Sequence, residues 1–280
     1  VFIGCGSTFC LAQYAAPFFQ KVTGRACRAV PASELLLQTD TIVLPGRAPL
    51  VVALSRSGET TETVMAVEKM RARGSGALAI SCYQSRPLAE ASSLTLAIPS
   101  AREQSYAETR SFAGMLVAVQ ALAAMNASDA GLLGDIGKLP GLAPSTVERA
   151  KALAGSFGRN ESYKRITYLG SGPLYGLASE ATIKAKEMSL SVAEAYHFME
   201  FRHGPMSIVD HEHLVVALVS DQMRDYEIGV LREVKQSGGA VLAVANTADG
   251  LGGFDGVFAL GTSLPEVARG VLYLPLVQLM

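Results

Sequence analysis

The chain has 280 residues, 24 of them basic and 25 acidic, and 49% are apolar. That length can bury one large core or two ordinary ones. The balanced charge leaves no basic field for nucleic acid or an anionic membrane surface. No apolar run approaches the roughly 18 residues that a membrane helix needs.

Val1-Phe2-Ile3 opens the chain inside an expected strand, and Leu274–Met280 closes it inside an expected helix. So abrupt a start and finish lead us to expect further residues at both ends. No signal peptide is visible. Cys5, Cys10, Cys27 and Cys82 lie in the first half and form no Cys-x-x-Cys pair, so reduced, buried thiols in a cytoplasmic protein are expected.

The strand runs then recur. Val1–Ser7 matches Thr167–Pro173, Val51–Ser55 matches Val215–Val219, and Gly76–Ile80 matches Gly239–Ala243, each about 165 residues apart and in the same order. Apolar strands without polar alternation indicate parallel strands covered on both faces. The expected fold is therefore α/β, an internal duplication of two doubly wound domains with parallel sheets. The expected domains are residues 1–140 and 141–280, joined by the Pro/Gly-rich stretch Leu139–Pro144. Phe112–Met125 reads as a buried helix. Ser57–Arg73 carries helix signals, with hydroxyls and acids first, basic residues late, then Gly74.

Ser55-Arg56-Ser57-Gly58-Glu59-Thr60 joins a strand to that helix. Backbone N–H groups and the helix dipole attract an anion there. Ser55, Ser57 and Thr60 add three hydroxyls, and Gly58 lets the backbone approach closely. Plain capping by Ser57 needs no ligand, but three hydroxyls within six residues exceed what a cap requires. We therefore expect a phosphate site. Gly4-Cys5-Gly6-Ser7-Thr8 is a second strand-to-helix turn. Phe9 breaks the dinucleotide fingerprint G-x-G-x-x-G, and no acid stands at the ribose position, so no nucleotide cofactor is expected. Ser7 and Thr8 are placed beside the phosphate or the sugar hydroxyls.

The second copy keeps Gly170-Ser171-Gly172 but replaces the hydroxyl loop by Val219-Ser220-Asp221-Gln222. Asp221 repels phosphate, so only the first copy is expected to hold one. The second copy supplies Glu180, Lys184 and Glu187 on one helix face, and His203 just before Gly204-Pro205. An ammonium, a carboxylate and an imidazole suit metal-free proton transfer. A solvated Glu-Lys ladder accounts for the same spacing, and a lone histidine is commonly structural. His211 and His213 flank Glu212 before an apolar strand, which would put both imidazoles on one strand face. No third ligand is spaced to join them, so no metal site is expected.

On Gly4–Thr8, Ser55–Thr60, Glu103–Phe112 and Lys184–Pro205, the chain resembles tandem sugar isomerase (SIS) domain proteins. The resemblance is to the isomerase half of glucosamine-6-phosphate synthase and to the related ketose/aldose-phosphate isomerases and amino-sugar-phosphate deaminases. It covers nearly the whole chain. It implies a sugar phosphate held by Ser55, Arg56, Ser57 and Thr60 with Ser7 and Thr8 beside them, and a sugar pocket lined by Tyr106 and Glu108. It implies Glu187 as the base moving a proton between C1 and C2, Lys184 near the same oxygens, and His203 as the ring opener. The resemblance also implies a homodimer, because in the synthase this histidine comes from a neighbouring subunit. This chain shows no glutaminase domain, carries Arg56 where the synthase has glutamine, and stops before the synthase's C-terminal lysine. Two readings remain: an aldose–ketose isomerase, with or without amination or deamination, and a sugar-phosphate sensor without chemistry. Glu187 and His203 favour the enzyme.

Overall fold

A computed structural model describes residues 1–280. The chain forms two compact units, Val1–Asp129 and Ala130–Met280. In the first, β1 (Phe2–Gly4), β2 (Ala29–Pro31), β3 (Val51–Leu54), β4 (Ala77–Ser81) and β5 (Leu94–Ala97) form a sheet in the order β2-β1-β3-β4-β5. Every pairing is parallel. In the second, β6 (Arg165–Gly170), β7 (Val192–Tyr196), β8 (His213–Leu218), β9 (Ala240–Ala245) and β10 (Gly256–Ala259) run in the order β7-β6-β8-β9-β10, again all parallel. Position by position this is the first sheet's order, which is the expected duplication.

The central strands explain why both sheets are covered on two faces. Every residue of Val51–Leu54, His213–Leu218 and Ala240–Ala245 is buried. A Val or Leu side chain so buried contributes roughly 1.5–3 kcal/mol. Ile3, Val51, Ala53, Val67, Met70 and Leu88 share the first core; Leu169, Val215, Val230, Leu231 and Val241 share the second.

The two glycine turns repeat in detail. A Cβ on Gly4 would lie 2.5 Å from the Thr8 carbonyl oxygen, and one on Gly170 would lie 2.5 Å from that of Leu174. Gly6 and Gly172 hold φ of +57° and +53°, where a side chain is disfavoured. In each unit, strand and helix can meet this closely only through these glycines.

Three expectations are corrected. Leu139–Pro144 is no linker: it begins the helix Leu139–Gly158, and the units divide at Asp129–Ala130. Pro140 stands in the first turn, where its missing N–H costs nothing. Pro144 removes one bond, to the Pro140 carbonyl, and both prolines are exposed, so water can satisfy that oxygen. The helix after the hydroxyl loop starts at Thr61, later than Ser57, and spans Thr61–Ala72. Finally, β8 begins at His213, leaving His211 exposed ahead of it. The two imidazoles therefore share no strand face. His213 is buried, with its Nε2 2.8 Å from the Thr167 hydroxyl on the neighbouring strand.

The helix Arg110–Asn126 buries Phe112, Met115, Leu116, Val119 and Ala123. Its buried Gln120 donates to the Tyr14 hydroxyl at 3.1 Å. No helix is long and apolar enough to cross a membrane. None of the four cysteines is in a disulfide; Cys10 and Cys82 are buried, whereas Cys5 and Cys27 are half-buried. Burial pushes the Cys82 thiol up to about 11, so it stays protonated near neutral pH.

Candidate functional site

The first unit gathers its candidate residues on loops that follow β1, β3, β4 and β5, so all lie at the carboxyl edge of one parallel sheet. The chain leaves β1 for β2 on one side and resumes with β3 on the other. The crevice above that reversal is where open α/β sheets bind ligands. Ser55 directly follows β3 and is buried, with its hydroxyl 3.1 Å from that of Thr60 and accepting the Gly58 N–H at 3.1 Å. The Ser57 hydroxyl accepts the Glu59 N–H at 3.1 Å, which leaves its own O–H to donate. Ser57 thus caps a turn in the loop and is not the cap of the helix, which Thr60 precedes. Gly58, at φ +69°, is needed here: a Cβ would lie 2.9 Å from that of Arg86 and 3.2 Å from the Ser81 hydroxyl.

Ser7 and Thr8 begin the helix Ser7–Thr23 and are buried. The Thr8 hydroxyl is occupied by its own turn, donating to the Cys5 carbonyl at 2.9 Å and accepting the Cys5 N–H at 3.0 Å. Arg56 bonds to another loop. Its Nη1 donates to the carbonyls of Ser105 at 2.6 Å and Tyr106 at 3.0 Å, and its Nε lies 3.8 Å from Glu108. The Tyr106 side chain is 96% exposed.

Several groups around this edge escaped the sequence reading. Glu103 accepts from the backbone of Thr109, Arg110 and Ser111 and from the hydroxyls of Thr109 and Ser111, so it caps the helix Arg110–Asn126 from outside. Burial pushes its carboxyl up, but the Ser111 and Thr109 hydrogen bonds outweigh burial and hold it below its ordinary value. Arg86 pairs with Glu59, and the guanidinium groups of Arg86 and Arg102 lie 5.1 and 4.5 Å from the Tyr83 ring centre. No helix or strand period signals these contacts, because they form within and between irregular loops.

In the second unit, Lys184 and Glu187 sit in the last turns of the helix Leu174–Ser189. Lys184 is 3% exposed, with Nζ 2.8 Å from Glu187 and 3.4 Å from Glu180. Glu180 is 1% exposed and the Glu187 side chain 49%. This departs from a solvated ladder: two of its three rungs are inside. Burial pulls the Lys184 ammonium down, but the Glu180 charge and the Glu187 hydrogen bond outweigh it, and the net value is raised. The result is a fixed ammonium beside a carboxylate that solvent can reach. His203 is exposed on a turn between the helix Phe198–Phe201 and Pro205–Ile208; no hydrogen bond joins it to the Lys184–Glu187 pair.

The SIS domain profile matches residues 1–125 and 161–250. The chain belongs to the SIS domain family. It is 27% identical over 272 residues to the D-galactosamine-6-phosphate deaminase AgaS of Escherichia coli O157:H7, covering 89% of this chain and 67% of the relative. It is 28% identical over 237 residues to the glutamine–fructose-6-phosphate aminotransferase (isomerizing) of Thermus thermophilus, covering 81% of this chain but only 37% of that enzyme. Among solved structures, the glucosamine-6-phosphate deaminase of Thermotoga maritima superposes with a TM-score of 0.83 at 25% identity, over 99% of this chain and 82% of that one.

Proposed function

We propose that this SIS protein is an amino-sugar-phosphate isomerase or deaminase that acts without a metal or organic cofactor. The observation that carries the reading is the buried Lys184 ammonium 2.8 Å from the half-exposed Glu187 carboxylate. The deaminase and isomerase names of its relatives give the substrate class. The hydroxyl loop Ser55–Thr60 binds the phosphate. That binding energy fixes the reacting carbons. His203 opens the sugar ring, contributed by a second copy in a homodimer. Glu187 takes the C2 proton of the open-chain sugar and returns it at C1, converting aldose to ketose. Lys184 stabilises the charge that develops on the adjacent oxygen between the two transfers. With nitrogen on C2, the same shift gives a ketimine, which water hydrolyses to the ketose phosphate and ammonia. A cytoplasmic location goes with this reading.

A sensor that binds the same ligand needs neither the ammonium nor the carboxylate. The deciding experiment incubates the protein with glucosamine, galactosamine, glucose and fructose 6-phosphates in deuterated water, with and without ammonia, followed by NMR. Deuterium entering C1 or C2 is expected; ligand binding without exchange would leave the sensor. Light scattering is expected to give a dimer or larger at micromolar concentration, and a fully active monomer would overturn the shared site.

A further inference from the structure

Arg56 is the junction of three loops in the first unit. Its backbone carbonyl accepts the Cys82 N–H and the Ser81 hydroxyl, each at 3.2 Å, which ties the hydroxyl loop to the end of β4. Its side chain spans to residues 105–108. Nη1 forks between two consecutive carbonyls, those of Ser105 and Tyr106, and Nε faces Glu108. The far end of the same segment is held by Glu103, whose carboxylate collects the donors of Thr109, Arg110 and Ser111. The loop 103–109 is thus pinned at its centre by an arginine and at its end by a glutamate. Between these pins the Tyr106 phenol projects outward on a fixed backbone, and the Glu108 side chain is only 13% exposed, beside the guanidinium.

A phosphate-binding arginine aims its planar fork at the anion. Here one arm of the fork, Nη1, is held by two carbonyls of another loop, and Nε faces Glu108. We infer that Arg56 is a positioning residue for sugar selection: it clasps the 103–109 loop against the phosphate loop, so that Tyr106 and Glu108 meet the sugar, and contributes little to holding the phosphate. The inference rests on the functional reading above and sharpens it. The two roles separate cleanly, because a phosphate ligand acts on every phosphorylated molecule alike, whereas a clasp acts only on ligands that carry the sugar.

The test measures two dissociation constants by calorimetry, for inorganic phosphate and for glucosamine 6-phosphate, on the wild type and on Arg56→Lys, Arg56→Ala and Glu108→Gln. Lysine keeps the charge but cannot bridge both carbonyls. The expected result is a loss of about tenfold or more in sugar-phosphate affinity for both Arg56 variants, the usual worth of a charge-assisted hydrogen bond. Inorganic phosphate affinity should stay within about twofold. Retained phosphate binding also shows that the fold has survived, and if Arg56→Ala does not fold, Arg56→Lys carries the comparison. Glu108→Gln, which leaves Arg56 and its carbonyl contacts in place, is expected to lower sugar-phosphate affinity less. Parallel losses for the two ligands, or no loss for either, would overturn the clasp. A wild type that binds phosphate but no sugar phosphate would instead overturn the functional reading, and the clasp with it.

Discussion

The two units share a strand order and a glycine turn, yet their second strand-to-helix loops have opposite chemistry. In the first unit the loop after β3 carries Ser55, Ser57 and Thr60, whose hydroxyls bond only to one another and to the amides of Gly58 and Glu59. In the second unit the loop after β8 is filled by the chain's own acids. Ser220 gives its N–H at 2.7 Å and its hydroxyl at 3.1 Å to Glu227, a buried carboxylate from the first turns of the next helix. The Asp221 N–H goes to Glu266, and the Asp221 carboxylate to the buried Arg269. Donors at the start of a helix seek an anion in both copies. The second copy supplies it internally from Glu227 and Glu266; the first has hydroxyls in its place and no acid bonded to them. Under the proposed function, duplication separates binding from scaffolding, and the second unit carries the Lys184–Glu187 pair on its helix Leu174–Ser189.

The largest effect is expected at that pair. Glu187→Gln keeps shape and hydrogen bonding but cannot accept a proton, so turnover should fall by roughly 10²–10⁴ with sugar-phosphate binding nearly intact. Solvent deuterium exchange at C1 or C2 should fall in parallel. Exchange at the parental rate would return Glu187 to a mere ladder position. Next in size is the hydroxyl loop. Ser57→Ala combined with Thr60→Ala should weaken sugar-phosphate binding by several kcal/mol, since hydrogen bonds to a charged group are worth about 1.5–3 each. Unchanged affinity in calorimetry would mean that this loop, like its counterpart, is only scaffold. The counterpart should behave in reverse. Glu227→Ala strands the buried Ser220 donors at a cost of about 1–3 kcal/mol each, seen as a lower denaturation midpoint, with phosphate affinity untouched. A drop in phosphate affinity would break the division of labour.

Much of this division was legible in the chain. Gly4-Cys5-Gly6 against Gly170-Ser171-Gly172 announced the duplication, because a close strand–helix approach demands glycine in both copies. Asp221 at the place of the hydroxyl loop led to the expectation that only the first copy takes phosphate, and the structure pairs its carboxylate with Arg269. The rest depended on loop contacts that follow no helix or strand period. Nothing local says that Glu227 reaches back to Ser220, that Glu103 caps a helix beginning seven residues later, or that Arg56 turns toward residues 105 and 106. Leu139–Pro144 misled for a different reason: proline and glycine mark breaks only on average, and exposed prolines early in a helix leave little unsatisfied. The Glu180–Lys184–Glu187 spacing did place the three on one face, but spacing alone could not show that the first two are buried, which departs from a solvated ladder.

The smallest effect tests the comparison through two carboxylates that cap loops in opposite electrostatic states. Glu103 in the first unit is held below its ordinary value, because hydrogen bonds from Ser111 and Thr109 outweigh burial. Glu227 in the second is held above its ordinary value, because burial outweighs the Ser171 and Ser220 bonds. Linkage then gives opposite slopes. At Glu103 the unfolded chain binds the proton more readily, so its contribution is complete above the unfolded value near 4.5 and fades as pH falls through the folded one. At Glu227 the folded chain binds the proton more readily, so its contribution is complete below that value and declines as pH rises through the folded one. Denaturant melts of Glu103→Gln and Glu227→Gln against the wild type, taken across pH 3 to 7 (roughly the carboxylate range), should therefore diverge. The cost of Glu103→Gln should shrink toward acid, and that of Glu227→Gln should shrink toward neutral pH. Parallel pH profiles for the two variants would show that the buried acid of the second loop is no more strained than the well-bonded one of the first, and that the contrast between the loops lies in geometry alone.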